Sequence, residues 1–195
     1  MEQPWDRPAL VREGDSNPNY TYMAVGRVLS QWECVEIQLG YVYTASTGNP
    51  GDWYDLLEYG EGNTTSHRLN IIRDAVTAFF VKYPNQAVEG RVESVLTMAG
   101  LFAARRHDVA HAIVRDHTWA RWRIPPDPRD PTGYFLLPSH YRGKTFDDSA
   151  LPIYAYTTSS MEILRHRLIL LETEAHGVAE HLKRHADAAT RSGCG

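Results

Sequence analysis

Seven consecutive residues, Arg105 to His111, form a dense polar cluster: two arginines, two histidines and one aspartate stand within an apolar, helix-like pattern. An imidazole takes up and gives up protons near neutral pH, as general acid–base chemistry requires. A guanidinium can hold two phosphate oxygens and stabilise the charge that develops on them. A helix needs neither group at this density, so this segment is the first candidate for a functional site.

Two long apolar stripes predict the first and last helices of the fold. Their residues recur at alternating steps of three and four, which places them on one side of a helix. The first stripe is Val25, Val28, Trp32, Val35, Leu39 and Val42, and the second is Met161, Leu164, Leu168, Leu171, Ala175, Val178 and Leu182. We expect the first helix to start after residues 17–19 and to end in the breaker-rich residues 44–51. The last should open at Ser159, where Glu162 completes a capping-box pattern.

Shorter patterns predict helices between these two. One opens at N-cap candidates in residues 63–66 and ends at Pro84. A later one passes through the segment Arg105 to His111 and continues its apolar face over Ile113 and Val114. The polar segment is therefore expected in the interior of a helix.

The helical periodicity gives way to short β-like runs before the last helix. These runs cover residues 119–124, 133–137 and 152–156. The predicted fold class is all-α: an up-and-down bundle of four to five helices with a small β-hairpin or meander inserted at about residues 119–156. We expect one helical domain over residues 20–186, after an extended lead-in at 1–19 and before a flexible tail at 187–195.

The composition favours a soluble cytoplasmic protein. There are only two cysteines, no secretory layout at the N-terminus and no apolar run near the ~18 residues that a membrane span needs. The net charge of −4 does not attract nucleic acid to the molecule as a whole. Four arginines close in sequence nevertheless predict a local basic patch that could contact RNA: Arg105, Arg115, Arg121 and Arg123.

The run from Arg106 to His111 resembles the Arg-polar-x-x-x-His signature of HEPN-domain proteins. A polar residue usually follows the arginine in that family, and here it is His107. Relatives often have glycine after the motif histidine, where this chain has Ala112. Trp32 with Glu36 is similar to the aromatic and acidic pair on the first helix of many such bundles. The resemblance extends over residues 20–186.

The resemblance implies a metal-independent endoribonuclease of a bacterial defence or toxin kind, with no cofactor. In it, His111 would be the general acid/base and Arg106 the clamp on the phosphate. His107 or Asp108 would orient one of these two by a hydrogen bond. Glu36 would lie close by as an orienting or pKa-raising carboxylate.

The same resemblance implies partners. HEPN ribonucleases generally act as homodimers whose motifs face each other across a cleft, so we expect a homodimer here, possible RNA binding and a regulatory protein partner. Some relatives are modified on a tyrosine two residues after the motif histidine. This chain has Ile113 there, which disfavours that form of regulation.

A rival enzyme class uses two of these residues differently. His107-Asp108 also resembles the His-Asp dyad of HD-type metal phosphohydrolases. That class needs a further histidine and a distant aspartate, for which the chain offers His67 and either Asp116 or Asp147.

Two readings without catalysis also remain. Five residues advance a helix by about 500°, so Arg106 and His111 are separated by about 140° and converge only at a helix start or kink. With Glu36 they could instead form a buried polar network that fixes the helix register. The domain could also be catalytically inactive and bind RNA, a nucleotide or a protein.

Overall fold

A computed structural model describes residues 3–116, 131–139 and 152–192, with the backbone alone for 189–192. The chain divides into two compact units. The first unit contains Met1–Gln31 and Ala104–Arg167, and the second contains Trp32–Ala103 and Leu168–Gly195.

The predicted all-α class is confirmed. The described residues form five helices and two strands: α1 (Pro18–Thr47), α2 (Trp53–Gly60), α3 (Thr65–Lys82), α4 (Gln86–Ala110), β1 (Ala112–Asp116), β2 (Tyr134–Pro138) and α5 (Thr158–Ser192). The strands form a small antiparallel sheet that precedes the last helix, as the β insertion predicted. None of the described helices combines the length and apolar character that a membrane crossing requires.

The two-stranded sheet belongs to the first unit. Ala112 pairs with Pro138 at one end of the register and Asp116 pairs with Tyr134 at the other. The side chains of Phe135, Leu137 and Ala155 form a buried cluster beside it.

Asp15 ties two helix starts of this unit together. Its carboxylate accepts hydrogen bonds from the Thr21 hydroxyl at 2.7 Å and from the Thr158 backbone N–H at 3.0 Å. The first bond is made to α1 and the second to the first residue of α5.

Gly133 adopts φ 89°, and a Cβ there would lie 2.8 Å from the Asp15 carbonyl oxygen, so this close approach needs glycine.

The second unit is a bundle of helical segments around one apolar core. The predicted stripes supply that core, because their residues in this unit are almost fully buried: Trp32, Val35, Leu39, Val42, Leu168, Leu171, Ala175, Val178 and Leu182. The side chain of Thr64 accepts the His67 N–H and caps α3 within the predicted N-cap segment. α3 ends at Lys82, two residues before Pro84, because proline cannot continue a helix.

Two local predictions are wrong. The predicted helix over Ile113 and Val114 stops at Ala110, and both residues instead lie in β1. β-branched side chains suit a strand, and here the β2 backbone supplies the hydrogen bonds that a longer helix would have made.

The capping box also differs from the prediction. Thr157 and Ser160 bond reciprocally through their side chains and backbone N–H groups, at 2.9 and 3.3 Å, so the box lies two residues before the predicted Ser159–Glu162 pair. Glu162 instead accepts from Arg27 and Arg165.

The predicted β-like runs have different outcomes. Residues 133–137 correspond to β2, whereas 152–156 contribute isolated bridges, including Tyr156 with Leu136. The run at 119–124 lies outside the described residues. α5 continues to Ser192, so only the last three residues of the expected tail lie outside them.

Candidate functional site

The predicted motif stands at the C-terminal end of α4, in the first unit. His107 and Asp108 belong to the last turn of the helix, directly after Arg106, and His111 is the turn residue that connects it to β1. The His111 N–H donates to the His107 carbonyl oxygen at 3.2 Å, which closes the final turn. The motif therefore spans a helix end, not the helix start or kink at which Arg106 and His111 were expected to converge.

His107 and His111 form an exposed pair of imidazoles. Their ring centroids are 4.4 Å apart and their planes are inclined by 56°. Residues four apart lie on the same side of a helix, so the spacing itself produces the contact. Both residues are exposed to solvent, whereas Arg106, which directly precedes His107, is half-buried.

Asp108 faces the interior of the unit and binds two arginines. Its carboxylate accepts from Arg7 Nε at 2.9 Å and Arg7 Nη2 at 3.0 Å, a bidentate ion pair. Arg105 Nη1 lies 3.0 Å from the same carboxylate, and the Tyr154 hydroxyl donates to it at 3.3 Å. The Asp108 side chain is only 5% exposed. Its charge is therefore neutralised by arginines within the unit.

The environment of Asp108 changes the acidity of its tyrosine neighbour. Burial raises the pKa of Tyr154 to about 12, and the negative charge of Asp108 adds to the rise. Arg7 opposes it, with its guanidinium 4.3 Å from the centre of the Tyr154 ring. The phenol is therefore protonated near neutral pH and acts as a donor to the carboxylate.

The four arginines of the predicted basic patch have different surroundings. Arg105 is directed toward Asp108, and its side chain is 14% exposed. Arg115 is exposed on β1, where it pairs in register with Phe135. Arg121 and Arg123 lie outside the described residues.

Glu36 lies in the second unit, on α1, and is buried. One carboxylate oxygen accepts from Trp32 Nε1 at 3.1 Å and from the Thr65 hydroxyl at 3.3 Å. The other accepts from the Tyr59 hydroxyl at 2.8 Å and from Arg68 Nη1 at 3.1 Å. Trp32 and Glu36, the aromatic and acidic residues of the HEPN resemblance, are thus joined by a direct hydrogen bond. The role of Glu36 beside the Arg–His motif stays a prediction.

The sequence did not single out the partners of these two carboxylates. Arg7 lies in the proline-rich lead-in and Tyr154 in a β-like run, so neither belongs to a helical stripe. Tyr59 and Arg68 are on α2 and α3 and carry no local mark of pairing with Glu36. Only the i, i+4 spacing of Trp32 and Glu36 was a usable signal.

The geometry also bears on the metal-dependent alternative. Among residues 3–116, 131–139 and 152–192, no three His, Cys, Asp or Glu side chains are grouped so that they could hold a metal ion. His67 is on α3 in the second unit and Asp116 ends β1 in the first. Asp147 lies outside the described residues.

The first unit therefore combines two different arrangements at one helix end. The His107–His111 pair and the neighbouring Arg106 have the side-chain chemistry for proton transfer next to a phosphate. Asp108 and Arg105 form an internal ion-pair network.

Comparison of the chain with models of protein families, with curated proteins and with solved structures finds no match.

Proposed function

We propose that this protein is a metal-independent endoribonuclease that uses His107, His111 and Arg106. The observation that carries the proposal is the contact between two exposed imidazoles, 4.4 Å apart, at the end of α4. The resemblance of Arg106 to His111 to the HEPN signature adds the reaction class. It also suggests a defence or toxin kind of enzyme, acting in the cytoplasm.

Cleavage of RNA by its own 2′-hydroxyl needs one group that takes a proton and one that gives a proton. A neutral imidazole removes the proton of the 2′-hydroxyl as this oxygen attacks the phosphorus. A protonated imidazole delivers a proton to the 5′-oxygen as its bond to phosphorus breaks. The products are a 2′,3′-cyclic phosphate and a 5′-hydroxyl, and no metal takes part. Two adjacent imidazoles can supply both roles.

Arg106 would bind the phosphate that is attacked. Negative charge grows on the phosphate oxygens in the transition state, and a guanidinium stabilises that charge through paired N–H donors. Arg106 directly precedes His107, at the same helix end as the imidazoles. We assign His111 as the principal acid/base and His107 as the second proton carrier.

The test is cleavage of mixed cellular RNA in the presence of a chelator. Wild-type protein should produce 2′,3′-cyclic phosphate ends, and His111→Ala should lower the rate by about 10²- to 10⁴-fold. Arg106→Ala should have a comparable effect. The matched control is His166→Ala, an exposed histidine of the same unit. Loss of cleavage on chelation, or full activity in His111→Ala, would contradict the proposal.

The proposed enzyme is a homodimer, as the HEPN resemblance implies. Large apolar side chains on the first turns of α1 support an interface, because Tyr20, Tyr22 and Met23 are 50%, 58% and 50% exposed. Sedimentation should give the mass of two chains. An equimolar mixture of Arg106→Ala and His111→Ala chains should regain part of the activity if the two motifs share a cleft.

The alternative is a catalytically inactive domain that binds RNA, a nucleotide or a regulatory protein. The observation in its favour is the neutralisation of Asp108 by Arg7 and Arg105, an arrangement that stabilises a fold without any reaction. Saturable RNA binding by wild type and His111→Ala alike, with no cyclic-phosphate product from either, would favour this alternative.

A further inference from the structure

The first unit contains a cavity that the proposed reaction does not use. Its volume is about 190 Å³. A single water molecule needs a cavity of only about 10 to 15 Å³, so this cavity has room for a larger ligand. It is lined by residues of the N-terminal lead-in, of α4, of the segment before α5 and of α5: Pro4, Asp6, Pro8, Arg105, Tyr156, Ser160, Ile163, Leu164 and Arg167. We refer to it as the Arg105–Arg167 cavity.

Two residues that line this cavity carry buried donors with nothing to donate to. Arg105 Nε and the Tyr156 hydroxyl are both inaccessible to solvent, and neither has a hydrogen-bond partner among the described residues. Tyr156 is only 2% exposed. A buried polar group without a partner destabilises the folded protein, so two of them on residues that line one cavity call for an acceptor.

The donors are held in place by bonds elsewhere in the same unit. Arg105 Nη1 is fixed by Asp108 at 3.0 Å. The backbone of Tyr156 pairs with Leu136 through bonds of 2.9 and 3.0 Å. Arg167 Nη1 donates to the carbonyl oxygen of Pro4, and both residues line the cavity. A ligand would therefore meet groups that are already ordered, which reduces the entropy lost on binding.

The charges around the cavity favour an anion. Arg105 and Arg167 contribute two positive charges and Asp6 one negative charge, and Asp108, which pairs with Arg105, is also paired with Arg7. The Asp6 carboxylate already accepts the Gln3 N–H at 2.6 Å. Burial raises the pKa of the Tyr156 hydroxyl, so this group stays protonated and remains a donor. A small anion with several oxygen atoms could accept hydrogen bonds from the Arg105 guanidinium and from the Tyr156 phenol together.

We propose that the Arg105–Arg167 cavity binds a phosphoryl group, held by Arg105, Tyr156 and Arg167. Paired N–H donors of arginine match the oxygens of phosphate, and the phenol adds a neutral donor. The phosphoryl group belongs either to RNA or to a free nucleotide or inorganic phosphate. Arg105 and His107 are about 200° apart around α4, so this site and the histidine pair occupy different sides of the helix. The proposal does not depend on cleavage at His111.

Calorimetric titration of the whole chain with inorganic phosphate, at ionic strength held constant with chloride, tests this site. Wild type should bind phosphate saturably. Arg167→Gln should weaken the affinity about tenfold or more, because it removes a charged donor. Arg27→Gln is the matched control, an arginine of the same unit that bonds Glu162 instead, and its affinity should equal that of wild type. Absence of saturable binding, or equal binding by Arg167→Gln, would overturn the proposal.

Tyr156→Phe provides a second test that does not require loss of a charge. It should weaken phosphate binding about threefold to tenfold while leaving the unliganded protein at least as stable, since it deletes a donor without a partner. Tyr154→Phe should instead lower the stability of the unliganded protein, because the Tyr154 hydroxyl donates to Asp108. A lowered melting temperature for Tyr156→Phe without phosphate, together with unchanged affinity, would show a structural hydroxyl and refute the assignment.

The source of the phosphoryl group follows from competition. A 5′-mononucleotide and a short RNA are each titrated against bound phosphate, using His111→Ala protein so that the RNA stays intact. Displacement by RNA at the lower concentration assigns the site to the RNA backbone, and displacement by the mononucleotide assigns it to a free ligand. Displacement by neither assigns the site to inorganic phosphate itself.

Discussion

Arg7 and Asp108, 101 positions apart in the sequence, form a bidentate ion pair with N–O distances of 2.9 and 3.0 Å. The pair fastens the N-terminal lead-in to the last turn of α4, beside Arg106 and His107. Arg105 binds the same carboxylate from within the helix. The aspartate of the motif thus holds the helix end against the lead-in while the histidines stay exposed.

Replacement of Asp108 by Asn should lower the free energy of unfolding by about 2 to 3 kcal/mol. The change leaves Arg105, 14% exposed, and Arg7, 36% exposed, without their counter-charge. The loss should be smaller than for a fully buried pair, because water screens Arg7. Urea unfolding measures the effect. Arg27→Gln, which breaks an exposed pair with Glu162, is the control and should cost less than about 1 kcal/mol.

This substitution also separates folding from catalysis. If Asp108 acts only on the fold, the rate of RNA cleavage by Asp108→Asn should fall in proportion to the fraction of unfolded protein. A large loss of rate in fully folded Asp108→Asn would instead show that the carboxylate orients the reacting groups.

Glu36→Gln should destabilise the protein by about 2 kcal/mol. The carboxylate is 8% exposed and accepts four hydrogen bonds, one of them from Arg68, and an amide cannot accept all four. Urea unfolding again provides the measurement. Glu93→Gln is a suitable control, since Glu93 pairs with Arg73 at an exposed site in the same unit. Equal stability of the two variants would mean that the buried network contributes little.

Folding stability should decrease as the pH rises above about 10, where tyrosines of the unfolded chain ionise. In the folded protein burial raises the pKa of Tyr154 to about 12, so the unfolded state loses its proton first and gains stability. This contribution is fully present below pH 10 and is lost progressively toward pH 12. At pH 11 the stability lost through Tyr154 amounts to about 1 kcal/mol. Urea unfolding at pH 8 and 11 should show a smaller decrease for Tyr154→Phe than for wild type, and equal decreases would contradict the assignment.

Much of the fold was predictable because helical stripes are local signals. α1 and α5 follow from apolar residues three and four apart, and all of these residues except Val25, which is half-buried, are buried as their spacing predicts. The end of α4 was not predictable in the same way. Ile113 and Val114 fit a helical face as well as a strand, and only the distant pairing with β2 decides between them.

The candidate site also contains contacts that local spacing predicts and contacts that it does not. The contact of His107 with His111 is a local consequence of i, i+4 spacing on a helix. The neutralisation of Asp108 depends on Arg7, which lies in a lead-in without periodicity and meets the aspartate only after folding. Sequence spacing could therefore indicate reactive side chains, but it could not indicate which of them are already engaged in ion pairs.

The contact between the two imidazoles makes a specific kinetic prediction. If His107 and His111 carry protons in the same step, each single alanine variant should lose about 10²- to 10⁴-fold in rate. The rate of the double variant should then be little lower than that of the slower single variant, because the rate losses from groups that act as a unit are strongly non-additive. Single-turnover cleavage of a defined RNA measures all three rates, with His166→Ala as the reference for an exposed histidine. If the two losses multiply, each histidine acts independently, and a shared proton-transfer step for the pair would be ruled out.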